Sequence, residues 1–469
     1  MSDVAALNEA EELLAEVDSD RRRFPRYPTY RESDSKWLLD IPAHWGIRRL
    51  RFVAAINPTK SEIAGLLADD LVSFVPMEAV NEFGGVQLDQ TRPLETVTQG
   101  YTYFRNGDIV IAKITPCFEN GKGSIADQLV NGIGFGTTEL HVVRPIPSKL
   151  DRQYLFYVTM SQQFRSLGTG EMYGAGGQKR VPDSFIKDFR TPLPPLDEQR
   201  AIARFLDRET AKIDSLVAKK RRLIELLQEK RTALISRAVT KGLTPDAPMK
   251  PSGIVWLGDV PAHWEISRLK FSVSKIGSGK TPKGGSQVYV TAGVMLLRSQ
   301  NIYDDGLRLD DVVFITEATD DEMSGTRVKP GDVLLNITGA SIGRCGLVPQ
   351  EFPSANVNQH VCIIRPRTMR SAFLHAVLCS KGIKDWISAE ENGTSREGLN
   401  FRQVGNIALP MPPSEEQGYI MQTLREKTAQ IDGLVARVQS VIDRLVEYRS
   451  ALVSAAVTGQ IDVRGEMPR

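Results

Sequence analysis

The sequence predicts an α+β fold in a tandem, pseudo-two-fold repeat: two mixed α/β domains and two long helices that pair as a coiled coil. Three observations carry this prediction. Apolar residues recur every seven positions over two long stretches, the motifs flanking these stretches recur 218 residues further along, and short β-branched segments precede each stretch. A shared period means that each copy forms one structural unit.

The first long helix is predicted over Glu198–Lys241. No Pro or Gly interrupts it before Gly242, and roughly forty residues at about 1.5 Å each give a helix of about 60 Å. One apolar line contains Leu206, Ile213, Leu227 and Leu234, and a second contains Ile202, Leu216 and Leu223. This pattern describes the seam of a coiled coil, which requires a partner helix.

The partner helix is predicted in the same chain. PLPPLDEQ, at Pro192–Gln199, recurs as PMPPSEEQ at Pro410–Gln417. The second seam line, whose positions match those of the first, contains Leu424, Ile431, Val438, Leu445 and Leu452. Lys220 occupies the position equivalent to Val438 and is the departure from an apolar seam. The chain is therefore interpreted as a tandem duplication.

Length and composition are those of an ordinary soluble protein of about three domains. The 469 residues carry a net charge of only +2, so a surface suited to nucleic acid must be local. The four cysteines lack CxxC spacing, and we expect reduced thiols and no metal site. The N-terminus lacks the features of a secretory signal and no apolar run is as long as a membrane span, which predicts a cytoplasmic protein.

A motif rich in aromatic residues precedes each α/β region, and we call it the clasp motif. WLLDIPAHW, ending at Trp45, recurs as WLGDVPAHW, ending at Trp264. Its histidines, His44 and His263, have no neighbouring nucleophile or metal-ligand set in the sequence. We therefore predict that each motif packs the start of its domain and takes no part in catalysis.

Short β-branched runs between Gly, Pro, Asn and Asp predict buried strands in both copies. The runs LVSFVP, GDIVIAKIT and LHVVRP in the first copy correspond to VMLLRS, GDVLLNIT and VCIIRP in the second. Gly107-Asp108 and Gly331-Asp332 are predicted turns that begin strands. Outside these strands the two copies differ greatly, which indicates one shared role and one diverged role.

Two glycine-rich segments suggest nucleotide binding but lack the rest of the motif. GSGKT, at Gly277–Thr281, has Ser274 where a phosphate loop needs its first glycine, and Pro282 follows it, which opposes the required helix. GIGFG, at Gly132–Gly136, continues directly into a strand pattern. No catalytic machinery is recognisable.

Polar loops containing Arg, Lys, Gln, Asn and Thr are the remaining candidates for chemistry. Such side chains can contact base edges and phosphates, although solvated surface loops have the same composition. The candidate DNA-contacting residues are Lys113, Thr115, Asn120, Lys122, Tyr173, Gln178, Lys179, Arg180, Lys280, Thr281, Lys283, Arg298, Gln300, Asn301, Thr338, Ser341, Arg344, Ser395 and Arg396.

The complete layout resembles the DNA-specificity (S) subunit of type I restriction-modification systems. The resemblance lies in the two clasp motifs, the GKTP loop at Lys280, TTELHVVRP, and the two helices that run from PPLxEQ-type starts to AVTxG-type ends. These features, given twice in the same order, cover nearly all of the chain after about residue 24.

The resemblance implies two target-recognition domains, each reading one half of a split DNA site, held apart by two antiparallel helices. Because duplex DNA has local two-fold symmetry, two like domains that grip it alike should be related by a dyad, which makes equivalent helices antiparallel. The corresponding division is an N-terminal segment 1–40, a first recognition domain 41–196, a central helix 197–241, a linker 242–262, a second recognition domain 263–411, and a helix with tail 412–469.

The family's subunit is not an enzyme and uses no cofactor. It docks separate methyltransferase subunits, here expected to be two, which bind S-adenosylmethionine, and motor-nuclease subunits that cleave DNA. The alternative is an enzyme that acts on nucleic acid with a nucleotide or S-adenosylmethionine through the glycine-rich loops. A third reading is a coiled-coil interaction module without DNA specificity.

Overall fold

The computed structural model describes residues 24–33, 35, 37–38, 40–175, 177–392 and 398–466. They form two compact units. The first unit combines the described residues up to Arg221 with those from Val438 onward, and the second comprises those from Arg222 to Arg437. Each unit therefore joins one α/β domain to parts of both long helices, whereas the predicted boundaries keep the helices separate.

The first unit contains two four-stranded sheets and two short strand pairs. Its strands are β1 (Tyr30–Glu32), β2 (Asp40–Pro42), β3 (Gly46–Arg49), β4 (Ala54–Ile56), β5 (Leu71–Val75), β6 (Thr91–Pro93), β7 (Thr102–Arg105), β8 (Ile109–Ala112), β9 (Gly123–Ile125), β10 (Ile133–Gly136), β11 (Leu140–Pro145) and β12 (Arg190–Leu193). Its helices are α1 (Leu94–Val97), α2 (Arg152–Met160), α3 (Gln162–Gly170), α4 (Asp183–Asp188) and the first part of α5 (Leu196–Lys241), together with the last part of the second long helix.

The second unit contains one four-stranded sheet, one three-stranded sheet and three short strand pairs. Its strands are β13 (Met249–Pro251), β14 (Asp259–Pro261), β15 (Glu265–Arg268), β16 (Val273–Ser278), β17 (Val294–Leu297), β18 (Ile302–Tyr303), β19 (Gly306–Leu307), β20 (Val313–Ile315), β21 (Val333–Asn336), β22 (Cys345–Leu347), β23 (Ala355–Val357), β24 (Val361–Pro366) and β25 (Ala408–Met411). Its helices are α6 (Leu269–Ser272), α7 (Glu317–Glu322), α8 (Ser371–Leu378), α9 (Lys381–Asn392), α10 (Phe401–Asn406) and the first part of α11 (Ser414–Val457).

The strand order shows the duplication directly. One sheet runs β4-β11-β8-β9 in the first unit and β16-β24-β21-β22 in the second, antiparallel throughout. The other sheet contains a parallel pair in each unit, β5 with β10 and β17 with β23. The β-branched runs of the sequence form the central strands, because such side chains pack well on pleated surfaces that are buried.

A hydrophobic core lies between the two sheets of each unit. In the first unit Val75 and Phe104 of one sheet join Val110 and Val142 of the other. In the second unit residues of β17 and β23 join residues of β21 and β24 in the same way. The predicted fold class of two mixed α/β domains with long helices is confirmed. Among the residues described, none of the helices combines the length and apolar character that crossing a lipid bilayer requires.

The two long helices span 46 and 44 residues, which corresponds to about 69 and 66 Å. Gly242 and Gly459 follow them with φ of 72° and 74°, a left-handed conformation that ends helices and favours glycine. Acidic residues fill both first turns, where they complement the helix dipole.

In each unit the two long helices run antiparallel, joined by an equivalent ion pair. Arg449 of α11 binds Asp214 of α5 in the first unit at 2.9 Å, and Arg231 of α5 binds Asp432 of α11 in the second at 3.0 Å. The arginines occupy equivalent positions of the repeat, as do the aspartates. The same contact is thus made twice, with the roles of the helices exchanged.

Burial along the helices matches the principal seam line and revises the second. The buried seam residues are Leu206, Ile213, Leu227, Leu424, Ile431, Val438, Leu445 and Leu452. Leu234 packs partly buried against the core of the second unit, and Lys220 is half-buried. Val217 is buried, whereas Leu216 and Leu223 are only half-buried. Ile202, the first member of the second line, is fully buried, and burial then moves from Leu216 to the neighbouring Val217.

Candidate functional site

The Gly-Asp turns hold an identical charged scaffold in both units. Gly107 and Gly331 adopt φ of 87° and 82°, which a side chain would strain. The following Asp108 is buried and receives Arg144 of β11 through two hydrogen bonds of 2.6 and 2.7 Å. Asp332 receives Arg365 of β24 through two of 2.7 Å.

Each aspartate also accepts a backbone N–H of its own turn, so a single buried carboxylate fixes a turn and joins two strands. Arg144 has a second carboxylate partner, Glu62, at 2.7 Å. No second carboxylate partner of Arg365 is recorded among the described residues. Loss of the aspartate should therefore cost the two units different amounts of stability.

The clasp motifs bind the first turn of the long helices. Glu198 accepts hydrogen bonds from Trp45 Nε1 at 3.0 Å and pairs with His44 at 2.8 Å. Glu416 makes the same two contacts with Trp264 and His263, at 3.0 and 2.8 Å. Each clasp motif therefore packs at the start of its domain, as predicted. Its partner is the glutamate of the EQ motif in the long helix, for which no role was predicted.

The glutamine of the EQ motif connects each long helix to the α/β domain that precedes it. Gln199 Oε1 accepts the N–H of Asp151, which caps α2, at 2.8 Å, and its Nε2 donates to the carbonyl of Pro194 at 2.9 Å. Gln417 repeats these contacts with Arg370 and Pro412, both at 2.9 Å. The proline-rich EQ segments therefore form a repeated joint between domain and helix.

Polar loops of the first unit come together beside the end of β8. The backbone N–H of Thr115 donates to the carbonyl of Lys179 at 2.9 Å, and that of Val181 donates to the carbonyl of Lys113 at 2.8 Å. Tyr173 and Arg180 exchange backbone hydrogen bonds and close a hairpin. The hairpin presents exposed side chains at Tyr173, Gln178 and Lys179.

Several candidate side chains of the first unit already have protein partners. Arg180 forms two hydrogen bonds of 2.9 Å with Glu139, and the guanidinium holds the pKa of that carboxyl below its usual range. Thr115 donates to Glu119 at 2.9 Å and Asn120 to Glu82 at 3.1 Å. Lys122 donates to the Met77 carbonyl at 3.3 Å.

Among the described residues of the hairpin, Tyr173, Gln178 and Lys179 therefore have exposed side chains that can form hydrogen bonds. His141, which follows the TTEL segment, is buried with Nε2 2.9 Å from the Val181 carbonyl. Burial lowers the pKa of His141. His141 therefore supports the hairpin base from inside the domain.

In the second unit a chain of polar side chains joins two candidate loops. Thr281 of the GKTP loop donates to Gln359, which contacts His360, and His360 contacts Thr338 after β21. Lys280 and Lys283 are exposed beside this chain. The loop after β21 occupies the same place in the sheet order as the Lys113–Lys122 loop after β8.

A buried asparagine, Asn336, attaches the loop that contains Ser299 to the loop after β21. Asn336 donates to the carbonyl of Ser299 at 2.8 Å and to the hydroxyl of Ser341 at 3.0 Å. The Arg344 guanidinium lies 4.7 Å from the centre of the Tyr303 ring. The second unit thus builds a polar surface at the equivalent place in its sheet from different residues.

The structure removes Asn301 from the candidate surface. Its side chain is fully buried (0% exposed) and its amide donates to the Arg308 carbonyl and to Asp311, while its oxygen accepts the Arg298 N–H. The RSQN composition predicted a contact residue, but the asparagine forms the turn itself. Arg298 and Gln300 are also bound to Asp311. Ser395 and Arg396 lie outside the described residues.

Neither glycine-rich segment has the geometry of a nucleotide loop. The start of GSGKT belongs to β16, and the segment after it forms only a short 3-10 turn at Gly285–Val288. A side chain at Gly279 would lie 1.6 Å from the Val357 carbonyl oxygen, so the loop is packed against β23. GIGFG ends in the buried strand β10. Neither segment is followed by a helix that would direct backbone N–H groups at a phosphate, so neither has the backbone of a nucleotide site.

A family model for the type I restriction modification DNA specificity domain matches residues 45–226 and 261–439. The chain belongs to this family. The two matches coincide with the two copies found in the sequence, and each begins within a clasp motif and includes an α/β domain and the first part of a long helix.

Specificity-family relatives match with different coverage. The EcoEI specificity subunit of Escherichia coli is 39% identical over 201 residues, covering 41% of this chain and 33% of that subunit. The EcoAI subunit of E. coli is 43% identical over 175 residues, covering 37% and 29%. This chain thus aligns with about a third of the length of these two proteins. A putative MjaX specificity subunit of Methanocaldococcus jannaschii is 23% identical over 435 residues, covering 91% of this chain and 95% of that subunit.

The fold also matches a solved structure. A chain from a structural study of complex assembly and conformational transition of the type I R-M system superposes with a TM-score of 0.67. It covers 91% of this chain and 99% of that chain at 17% identity. The shared feature is the fold, because identity this low carries no residue-level correspondence.

Sequence reasoning missed the residues that assemble the polar surface from within. Glu139, Asn336, Gln359 and His360 each join two loops, yet none was singled out as a contact residue. One signal was present in TTELHVVRP, where a glutamate precedes a buried strand. Its partner Arg180 is 41 residues away, and only the fold brings the two together.

Proposed function

We propose that the chain is the DNA-recognition subunit of a type I restriction-modification complex and reads a bipartite duplex site, one half with each unit. The observation that carries this proposal is the contrast within each repeat. The clasp, the Asp–Arg pair and the helix ion pair are the same in both units. The exposed polar loops above them differ in length, sequence and internal bonding.

The loop side chains suit base-edge reading. Gln178 is of a type that makes bidentate contacts with adenine, and Lys179, Lys280 and Lys283 can contact guanine or phosphate. They are exposed on loops whose backbone is held by defined contacts. Such a surface can discriminate sequences because the scaffold, and not the ligand, fixes the direction of each side chain.

The partners proposed are two methyltransferase subunits and motor-nuclease restriction subunits, with duplex DNA as ligand, in the cytoplasm. The long helices offer outer faces for docking. The cluster Lys219–Arg222 lies midway along α5, and its Arg222 pairs with Glu225 of the same helix at 2.7 Å. A solvated helix face explains this cluster as well as DNA contact does, and we assign it no base-reading role.

The chain is proposed to contribute no catalytic residue and to use no cofactor. The rival enzyme requires nucleotide or S-adenosylmethionine binding through GSGKT or GIGFG, and both segments are packed in strands or against them. Adenine methylation is therefore assigned to the partner methyltransferase, which this chain directs to its site.

The test is comparison of genomic adenine methylation in cells with and without this chain. We expect one bipartite methylated motif to disappear when the chain is deleted and to return when it is restored. Purified chain should bind neither ATP nor S-adenosylmethionine, and its complex with methyltransferase should prefer one duplex over random duplexes. An unchanged methylome, or methyl transfer by the isolated chain, would refute the proposal.

A further inference from the structure

The second unit contains a cluster of metal-ligating side chains away from the polar loops. The Sγ atoms of Cys345 and Cys379 and one ring nitrogen of His375 all lie within 4.8 Å of one another. Cys345 is buried at the start of β22, while His375 and Cys379 are half-buried, one turn apart, at the end of α8. A strand and a helix thus direct soft ligands at one point.

Two contacts of Cys379 have the lengths expected between ligands of one small ion. His375 Nε2 lies 3.4 Å from Cys379 Sγ, and Asp304 Oδ1 lies 3.7 Å from the same sulfur. Tetrahedral zinc with bonds of about 2.3 Å to sulfur and 2.0 Å to nitrogen or oxygen separates its ligand atoms by about 3.3 to 3.8 Å. His375 Nε2 also lies 3.0 Å from the carbonyl oxygen of Cys345, and the ion would replace this hydrogen bond.

Asp304 lies beside the three-residue cluster, outside the set of ligand atoms that are all within 4.8 Å of one another. Its Oδ1 accepts the backbone N–H of Cys345 at 2.8 Å and binds Lys384 at 2.7 Å. The carboxylate therefore stays beside the strand that carries the first cysteine. Lys384 would neutralise part of the negative charge that two thiolates and a carboxylate bring to the cluster.

We propose that Cys345, His375 and Cys379, with Asp304 as the fourth ligand, bind one Zn²⁺ ion. Thiolate and imidazole together favour zinc over magnesium or calcium, which prefer oxygen ligands. Four protein ligands describe a closed, structural site and not a catalytic one. The ion would join β22, α8 and the turn at Asp304, three segments separated by up to 75 positions.

The ion has a route into the site. A cavity of about 320 Å³ in the second unit is lined by Asp304, His375 and Cys379 and, on the side of the long helices, by Thr232 and Arg425.

The sequence predicted no metal site because no two cysteines have CxxC spacing. The HxxxC spacing of His375 and Cys379 is a weak signal that gains meaning only when β22 places Cys345 beside it.

The first experiment measures metal directly on the full chain, purified under reducing conditions with its methyltransferase partner or alone. After chelation and dialysis, Co²⁺ is titrated as a spectroscopic probe. We expect visible ligand-field bands and thiolate-to-cobalt charge-transfer absorption that saturate at about one ion per chain and are displaced by Zn²⁺. Absence of these bands in folded chain would overturn the proposal.

The variants Cys379→Ser and His375→Gln should abolish the charge-transfer absorption, and Asp304→Asn should weaken zinc binding by about 10- to 100-fold. Cys117→Ser, a cysteine of the first unit, is the matched control and should bind as the parent does. Circular dichroism verifies that each variant is folded. Unchanged binding by Cys379→Ser, loss of binding by Cys117→Ser, or a Cys345–Cys379 disulfide in place of bound zinc would each contradict the assignment.

Discussion

The two units build the same scaffold but support it to different degrees. In the first unit Glu198 is 6% exposed, and its Trp45 is also covered by the Tyr27 ring at 5.6 Å. In the second, the equivalent Glu416 is 28% exposed. Arg144 has two carboxylate partners, whereas one is recorded for Arg365. The two copies of a contact therefore have the same geometry, but each copy contributes a different free energy to folding because its burial differs.

The sharpest test of the repeat concerns the long helices. Residues 219–225 and their counterparts 437–443 surround the boundary between the units. Deleting both heptads shortens the helices by about 10 Å, close to three base-pair steps, and changes the angular phase by only about 20°. We expect binding to the original site to fall by about 10³-fold or more, to the non-specific level.

Methylome sequencing of cells that carry this deletion should show both half-sites unchanged with a shorter spacer between them. The matched control duplicates the same heptads and should lengthen the spacer by the same amount. A motif with its original spacer in both variants would show that the helices do not set the separation.

The buried Asp–Arg pairs test whether equivalent contacts carry equal weight. Asp332→Ala should cost about 3 to 5 kcal/mol because it leaves Arg365 without its carboxylate. Asp108→Ala should cost about 1 kcal/mol less, since Glu62 still binds Arg144. Hydrogen exchange measured by mass spectrometry on β21 and β8 reports each unit separately. Asp305→Ala, an exposed aspartate, is the control, and equal losses in the two units would contradict the comparison.

Removal of either clasp glutamate should also lower the free energy of unfolding, by less than removal of a buried aspartate does. Glu198→Ala leaves the buried Trp45 N–H without a partner and should cost about 1 to 3 kcal/mol, whereas Glu416→Ala should cost about 1 kcal/mol because water can reach its site. The neighbouring Asp197 is 97% exposed, so Asp197→Ala should change stability little. Thermal unfolding, followed by hydrogen exchange, measures the loss of stability in each variant. A larger loss for Glu416→Ala than for Glu198→Ala would contradict the prediction.

The loop residues should affect specificity and not stability. Gln178→Ala should reduce discrimination at the first half-site by about 1 to 3 kcal/mol and leave the second intact, and Arg344→Ala should do the converse. Competition gel shifts with duplexes altered in one half at a time measure both. Gln87→Ala, an exposed glutamine of the first unit outside the candidate loops, is the control. Loss at both half-sites from either variant would refute the division of labour.

The repeated parts of the fold could be predicted because their signals are local. Heptad spacing gave Leu206, Ile213, Leu445 and Leu452, and β-branched runs after Gly-Asp gave β8 and β21. Each signal depends on residues within a few positions, which set helix faces and turns directly.

The polar surface could be predicted only in part, because composition does not tell an inward side chain from an outward one. Asn301 and Gln178 are both amides in polar loops, yet the first is buried in its own turn and the second is exposed. Arg180 is bound by Glu139 across 41 positions. The cluster of Cys345, His375 and Cys379 likewise depends on a strand meeting a helix. Such pairings arise from tertiary contacts that no spacing rule encodes.

The first unit is assembled from the two ends of the chain, which has a consequence for synthesis. Pro25 accepts the N–H of Asp462, and Tyr30 donates to the Gly459 carbonyl. Arg449 and Gly459 also contact residues made far earlier, Asp214 and Trp45. On the ribosome the second unit has all its residues while the first still lacks its closing helix. The first unit therefore cannot complete its native contacts until residues after Val438 have been added, although most of its residues are translated first.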